Sequence, residues 1–220
     1  MSTIKPGEPW GSPASSPPDL SVDGDDAALA GAVAAAPGAL VAFRPGVTSD
    51  LARAVGLRPG SDPVLPATEL PVDAVRIVGN GLACNAVVLG AAPDRLRWAS
   101  AARPIEIELD DRPWFAGSAT TVVIANGQFL RGADLVPRGH PGDGRVEVQV
   151  YELRRRERHA MRRRLAVGAH VPHPRIRSRT AHRVEVRAPH DWALEVDGVR
   201  GEPVRTMVGE VVPAAFRLLV

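Results

Sequence analysis

Thr121–Val150, TVVIANGQFLRGADLVPRGHPGDGRVEVQV, carries more information than any other part of the chain. An apolar run enters Ala125-Asn126-Gly127. A loop punctuated by Gly and Pro follows and closes on Gly142-Asp143-Gly144. Arg145–Val150 then alternates polar and apolar residues, the period of a strand with one wet face.

The same alternation recurs outward from this stretch. Strands are predicted at Ala74–Val78, Ala83–Leu89, Ile105–Leu109, Thr120–Ile124, Val146–Tyr151, Arg183–Arg187, Ala193–Val196 and Ala215–Val220. Turn residues separate them at Asp110-Asp111-Arg112-Pro113, Gly142-Asp143-Gly144 and Asp197-Gly198. One helix, Arg154–Leu165, interrupts the series. Toward the N-terminus, Asp25–Ala35 is Ala-rich with acidic residues at its start, which suits a helix, and Pro37-Gly38 stops it. Leu40–Phe43 reads as a short buried strand. Asp50 is placed to cap a helix Leu51–Val55 that Gly56 ends. Residues 1–20 are rich in Pro, Gly and Ser and are expected to be irregular. The fold class is therefore α+β: an antiparallel β-sandwich over 71–220, preceded by a short α/β segment over 21–70.

Composition bounds the function more weakly. The 220 residues are 45% hydrophobic but only 4% aromatic, so the core must be built from Val, Leu and Ala. A net charge of +2 implies neither a nucleic acid nor a membrane partner by itself. The single cysteine, Cys84, lies in an apolar run and reads as a small buried hydrophobe. One lone thiol fits a reducing cytoplasm. Met1–Pro18 lacks the basic-then-apolar form of a leader. Ala27–Phe43 is too short and too broken to span a bilayer, which takes about 20 apolar residues.

The Thr121–Val150 pattern resembles the core signature of the bacterial diacylglycerol kinase-like (YegS-like) lipid kinases. Further motifs follow in that family's order. They are an Arg-rich helix, Gly168-Ala169-His170, Val184-Glu185-Val186, Ala188-Pro189-His190-Asp191, Leu194-Glu195-Val196-Asp197-Gly198 and the ending Val212–Val220. The resemblance implies two domains, an α/β one that binds ATP and a β-sandwich that closes over the cleft and contacts lipid. It covers Val72–Val220 well and Val22–Leu57 weakly.

The implied site is altered where the chemistry would sit. The family's Gly-Gly-Asp-Gly-Thr phosphate loop corresponds to Ser21-Val22-Asp23-Gly24-Asp25, where only Asp23 and Gly24 survive. Asp25 and Asp26 add negative charge where phosphate would lie, and like charges repel. The second loop corresponds to Gly46–Arg53: Gly46 and Asp50 match, and Thr48 replaces a glycine. The family's β-α-β unit before the first loop needs about 30 residues or more; fewer precede Asp23, and the nucleotide-binding half is expected to be truncated. The family's Asp-Gly-Glu base motif keeps Asp197-Gly198 but has Val199 in place of Glu, leaving Asp197 and, across an extended turn, Glu202 as candidate bases.

The resemblance also implies a Mg²⁺ held by Asp143 with backbone groups of His140 and Arg145; the alternative is a plain turn entering a strand. Leu153–Leu165, LRRRERHAMRRRL, places Leu153, Met161 and Leu165 in an apolar stripe, with Arg154, Arg155, Arg158, Arg162 and Arg163 fanning outward. That face suits anionic lipid headgroups or is simply solvated. Nucleic acid is not expected, because no aromatic platform accompanies the arginines. The histidines, including His170-x-x-His173, lack the companion ligands of a zinc site.

Two functions stay open. One is a non-catalytic descendant that binds lipid or regulates. The other is a Mg²⁺-dependent kinase moving the ATP γ-phosphoryl to a lipid hydroxyl, with Mg²⁺ and ATP as cofactors only in that case. Either is expected in the cytoplasm, with peripheral placement on the inner membrane face, and a homodimer is left open.

Overall fold

The computed structural model describes residues 9–63, 66–137, 139–166 and 173–220. Met1–Glu8 and the Gly168-Ala169-His170 motif lie outside the described residues.

Two sheets face one another. The first has nine strands. Along its antiparallel path run Ser12–Pro13, Thr68–Ile77, Val204–Leu219, Arg183–Trp192, Arg103–Leu109 and Arg112–Ala119, with Gly81–Ala83 paired to Thr68–Ile77. The second has six, in the order Ile176–Ala181, Val146–Tyr151, Thr121–Ala125, Ala86–Gly90, Leu194–Val196 and Val199–Arg200. Val87, Leu89, Val122, Ile124, Val148 and Val150 of the second sheet pack against Val75, Ile107, Val184 and Val186 of the first in one buried cluster. This is the antiparallel sandwich that the alternating runs predicted.

Helix α1 (Asp26–Ala35) joins strand Leu20–Gly24 to strand Leu40–Pro45, and these two strands pair in parallel. Leu40–Ala42 then pairs in parallel with Arg217–Leu219. The N-terminal α/β segment therefore continues the sandwich's own sheet. Leu29 and Val33, one turn apart on α1, pack with Phe43, Leu51, Val72 and Phe216. Helix α2 (Asp50–Val55) is capped by Ser49, whose hydroxyl accepts from the Ala52 N–H, so Asp50 is the first helical residue and not the cap. Gly56 ends it at φ 82°, as expected of a left-handed C-terminal glycine. Helix α3 (Arg155–Ala166) covers the outer face of the second sheet, burying Leu153, Met161 and Leu165 against Val88, Val123 and Tyr151. Thr121–Ala125 is thus buried on both faces, which is why it reads as a continuous apolar run. Among the described residues no helix is long and apolar enough to cross a membrane.

Some strands were not legible. Arg112–Ala119 carries Pro113 and Gly117; as an edge strand it tolerates a proline. Its hairpin turn is Asp110-Asp111 alone, both at positive φ (50° and 60°). Ser12–Pro13 forms a short strand with Thr68–Glu69 inside the segment expected to be irregular, anchored by Trp10 Nε1 donating to the Pro71 carbonyl at 3.0 Å.

Ala83–Leu89, predicted as one strand, is two, broken at Cys84-Asn85. Asn126 stitches this break. Its Nδ2 donates to the carbonyls of Cys84 and Asp73, both at 2.8 Å, and its backbone N–H donates to the Asn85 carbonyl at 2.7 Å. Gly127 follows because a Cβ there would lie 2.4 Å from Asn85 Oδ1. Replacing Asn126 by Ala strands two buried carbonyls. Asn126→Ala is expected to lower unfolding free energy by about 2–4 kcal/mol, read as a reduced urea midpoint with unchanged slope. A loss under about 0.5 kcal/mol would show that the stitch is dispensable.

Candidate functional site

The N-terminal ends of α1 and α2, the Leu130–Gly132 turn and the Asp197–Val199 turn surround a cleft of ≈ 440 Å³. Of the residues singled out in the sequence, Asp25, Asp26, Thr48, Asp50, Asp197, Gly198 and Val199 line it. Gly24 and Gly46 lie where the two loops meet: the Gly46 N–H donates to the Gly24 carbonyl at 2.6 Å, and Gly24 sits at φ 134°. Asp23 is exposed, opposite Arg44 in the strand register, and does not line the cleft. Glu202 is also exposed and outside the lining. The hairpin turn is not extended as Glu202 would require. Val196 pairs directly with Val199, and Asp197-Gly198 alone make the turn, at φ 47° and 83°.

Three buried carboxylates meet the cleft, and each is tied to backbone N–H groups. Asp26, the first residue of α1, reaches the start of α2. It accepts from Ser49 Oγ at 2.5 Å, from the Asp50 N–H at 3.0 Å and from the Leu51 N–H at 3.3 Å. Asp50 in turn accepts from the Arg131 N–H and, at 2.7 Å, from the Gly132 N–H. Asp197 accepts from Cys84, Asn85 and Ala86 N–H at 2.7, 2.9 and 2.8 Å and is 8% exposed. At the start of α1, Asp25 accepts from the Ala28 N–H at 3.0 Å.

At the start of α2 this arrangement does not fit a phosphate cradle. Such a cradle needs backbone N–H groups at a helix start that are free to meet the anion. Here the first three N–H groups of α2 already have Asp26 and Ser49 as acceptors. Arg53, Arg95 and Arg131 balance the cleft's acids, but Arg131 is held in ion pairs with Asp94, at 2.8 Å, and Glu195.

Burial pushes Asp26 up to about 7, opposed by the Ser49 hydrogen bond and helped by nearby Asp197. Burial likewise lifts Asp197 to about 6, opposed by its three backbone donors. Burial also raises Asp50.

The implied Mg²⁺ position lies elsewhere, around Trp10 and Asp73. Asp143 Oδ1 accepts from the Arg145 N–H at 3.0 Å, the side chain-to-backbone turn of the plainer reading. His140 packs edge-on to Trp10 at 4.4 Å between ring centroids, and burial lowers its pKa. Neighbouring Asp73 is consumed by the N–H groups of Gly144 and Ala214, at 2.6 and 2.7 Å. Among the described residues no group of three His, Cys, Asp or Glu is placed for a metal ion.

The basic helix divides. Arg154, Arg155, Arg162 and Arg163 are exposed. Arg158 is 4% exposed and faces inward, not toward a lipid surface: the buried stripe Leu153–Met161–Leu165 carries it under the helix, where loop carbonyls take its N–H groups.

Sequence reasoning missed Asn85, Arg95 and Arg131 at the cleft. Asn85, a polar residue inside an apolar run, was the available signal. Its Oδ1 is buried and has no hydrogen-bond partner among the described residues. Arg131-Gly132 turns at φ 48° and 74° without the Asn-Gly pair that advertises such a turn.

The raised Asp26 gives a pH dependence of defined sign. Its folded value, about 7, lies above the unfolded 3.8, so between these pH values the folded chain holds a proton that the unfolded chain releases. Stability is expected to rise as pH falls from 8 to 5, by on the order of 2–4 kcal/mol, and Asp26→Asn should flatten that slope. Urea midpoints across this range check it; greater stability at pH 8 would overturn the assignment.

Residues 88–220 match the model of the YegS C-terminal NAD kinase beta sandwich-like domain. In structure the chain is similar to a diacylglycerol kinase from Bacillus anthracis str. Sterne, with TM-score 0.70 and 18% identity over 91% of this chain and 75% of that one. It is also similar to yeast NADH kinase complexed with NADH, with TM-score 0.54 and 13% identity over 92% of this chain and 61% of that one. At those identities the likeness is one of fold. No curated protein matches the chain by sequence. The sandwich, its strand order and the family match together place the chain in the diacylglycerol kinase-like (YegS-like) lipid kinase family.

Proposed function

We propose that the chain is a lipid-binding or regulatory module on a lipid-kinase fold, with ATP-dependent phosphoryl transfer impaired or lost. The observation that carries this reading is the capping of α2 by the protein's own Asp26 and Ser49. A nucleotide phosphate would have to displace the buried Asp26 side chain to reach those N–H groups, and Asp25, Asp26, Asp50 and Asp197 would repel it wherever they are ionised. Asp197 is the residue a lipid hydroxyl would need as base. Its carboxylate already serves three backbone donors, which compete with any substrate proton. An active kinase would require ATP and a divalent ion here, and Asp143 offers such an ion one carboxylate in a turn.

The exposed arginines of α3 and the one immediately before it support the lipid half of the reading. Arg154, Arg155, Arg162 and Arg163 present positive charge that a bilayer of anionic lipids attracts, at about 1 kcal/mol for each residue near the surface. The proposed location is the cytoplasmic face of the inner membrane, held peripherally.

Two measurements test the halves separately. Millimolar ATP or ADP with Mg²⁺ is expected to leave the melting temperature unchanged; a rise of about 2 °C or more would mean nucleotide binds the folded state and would restore the kinase reading. Sedimentation with phosphatidylglycerol vesicles is expected to carry the protein down, and reversing Arg154, Arg155, Arg162 and Arg163 to Glu should abolish this. Unchanged sedimentation of that variant would remove the membrane face.

A further inference from the structure

Four large apolar side chains are exposed among the described residues: Val47, Val78, Trp98 and Val199. Trp98, 63% exposed, is the largest. It stands at the tip of a turn, Arg97–Ser100, that is closed twice. The Ser100 N–H donates to the Arg97 carbonyl at 3.1 Å, and the Arg97 N–H donates to Ser100 Oγ at 3.0 Å.

The turn is held from beneath by the one arginine of α3 that does not face solvent. Arg158 Nη1 donates to the carbonyls of Arg97, Trp98 and Ser100 at 3.1, 2.9 and 2.6 Å, and its Nε donates to the Leu153 carbonyl at 3.3 Å. Burying a guanidinium is costly unless its donors are satisfied. Here it secures three of the four carbonyls of a surface turn, those of Arg97, Trp98 and Ser100, and so holds the Trp98 backbone in one place. A tryptophan so held and left in water is matched to an apolar–polar boundary, where the indole lies among acyl chains and its N–H among headgroups.

The charges around it suit one kind of surface. Arg95 and Arg97 are exposed on the same loop. Arg155 lies one turn before Arg158 on α3 and Arg162 one turn after it, and Arg154 immediately precedes the helix. Arg162 Nε donates to the Asp94 carbonyl at 3.0 Å, which ties this end of the helix to the same loop. The acids within the patch are engaged: Asp94 pairs with Arg131 and Glu157 with Arg175. Arg95 also lines the cleft.

We infer that the Arg97–Ser100 turn is a membrane anchor, in which Trp98 inserts at the headgroup level of an anionic bilayer and Arg158 serves as its internal clamp. This rests on the lipid-surface reading and makes it specific. The α3 arginines attract the surface; Trp98 makes the apolar contact; and the shared Arg95 brings the cleft mouth to the bilayer.

The test uses the full chain with vesicles of phosphatidylcholine alone or mixed with phosphatidylglycerol. Trp98→Ala is expected to keep the wild-type melting temperature, since the side chain is exposed, and to lower partitioning onto phosphatidylglycerol vesicles by about tenfold or more. Brominated acyl chains should quench a part of the wild-type fluorescence that Trp98→Ala lacks. Arg97→Glu should weaken binding at low salt and converge with wild type at high salt. If wild type binds and Trp98→Ala binds equally well, the anchor is wrong and the arginine surface stands. If wild type ignores phosphatidylglycerol vesicles, both fall. Equal binding to phosphatidylcholine alone would overturn the electrostatic part.

Discussion

The structure depends on how the break at Cys84-Asn85-Ala86 is satisfied. Here the chain leaves the first sheet and enters the second, so its peptide groups lose their ladder partners while staying buried. Asp197 takes the three N–H groups, and Asn126 gives hydrogen bonds to the carbonyls of Cys84 and Asn85. The Asp197 side chain, with the side chain and backbone N–H of Asn126, thereby replaces a missing strand. An unpaired buried peptide group is costly, so neither side chain is free to vary without loss. This joint links the two sheets beside the cleft.

The joint also gives familiar residues a structural task. Asp197 in its Asp-Gly turn looks like a base, and Asn126-Gly127 looks like part of a binding loop. In this chain both are occupied with backbone. The same holds across the cleft, where Asp26 fastens α2 and Asp50 fastens the Arg131-Gly132 turn. The N-terminal segment is thereby tied to the sandwich.

Charge on α3 divides by the same logic of burial. The apolar stripe Leu153–Met161–Leu165 fixes which way the helix faces, and that orientation alone sends Arg158 inward while Arg154, Arg155, Arg162 and Arg163 stay in water. Arg158 is therefore a structural cation serving the turn that carries Trp98, and its neighbours form the surface.

Alternation in Ile105–Leu109 and Val146–Val150, the turn pairs Asp110-Asp111 and Asp197-Gly198, and the ordered motifs from Thr121 to the end were enough to determine the sandwich and the family. These are local signals, because side-chain period and turn chemistry are set within a few residues. The helix stops at Pro37 and Gly56 were legible for the same reason. What only the tertiary structure decided is how each polar residue is used. Ser49 caps in place of Asp50, Glu202 lies past a closed hairpin, Arg158 turns inward, and Asp26 meets α2 some two dozen residues away. No local pattern encodes those partners, since a carboxylate or guanidinium reads the same in sequence whether a peptide N–H, a phosphate or water will meet it.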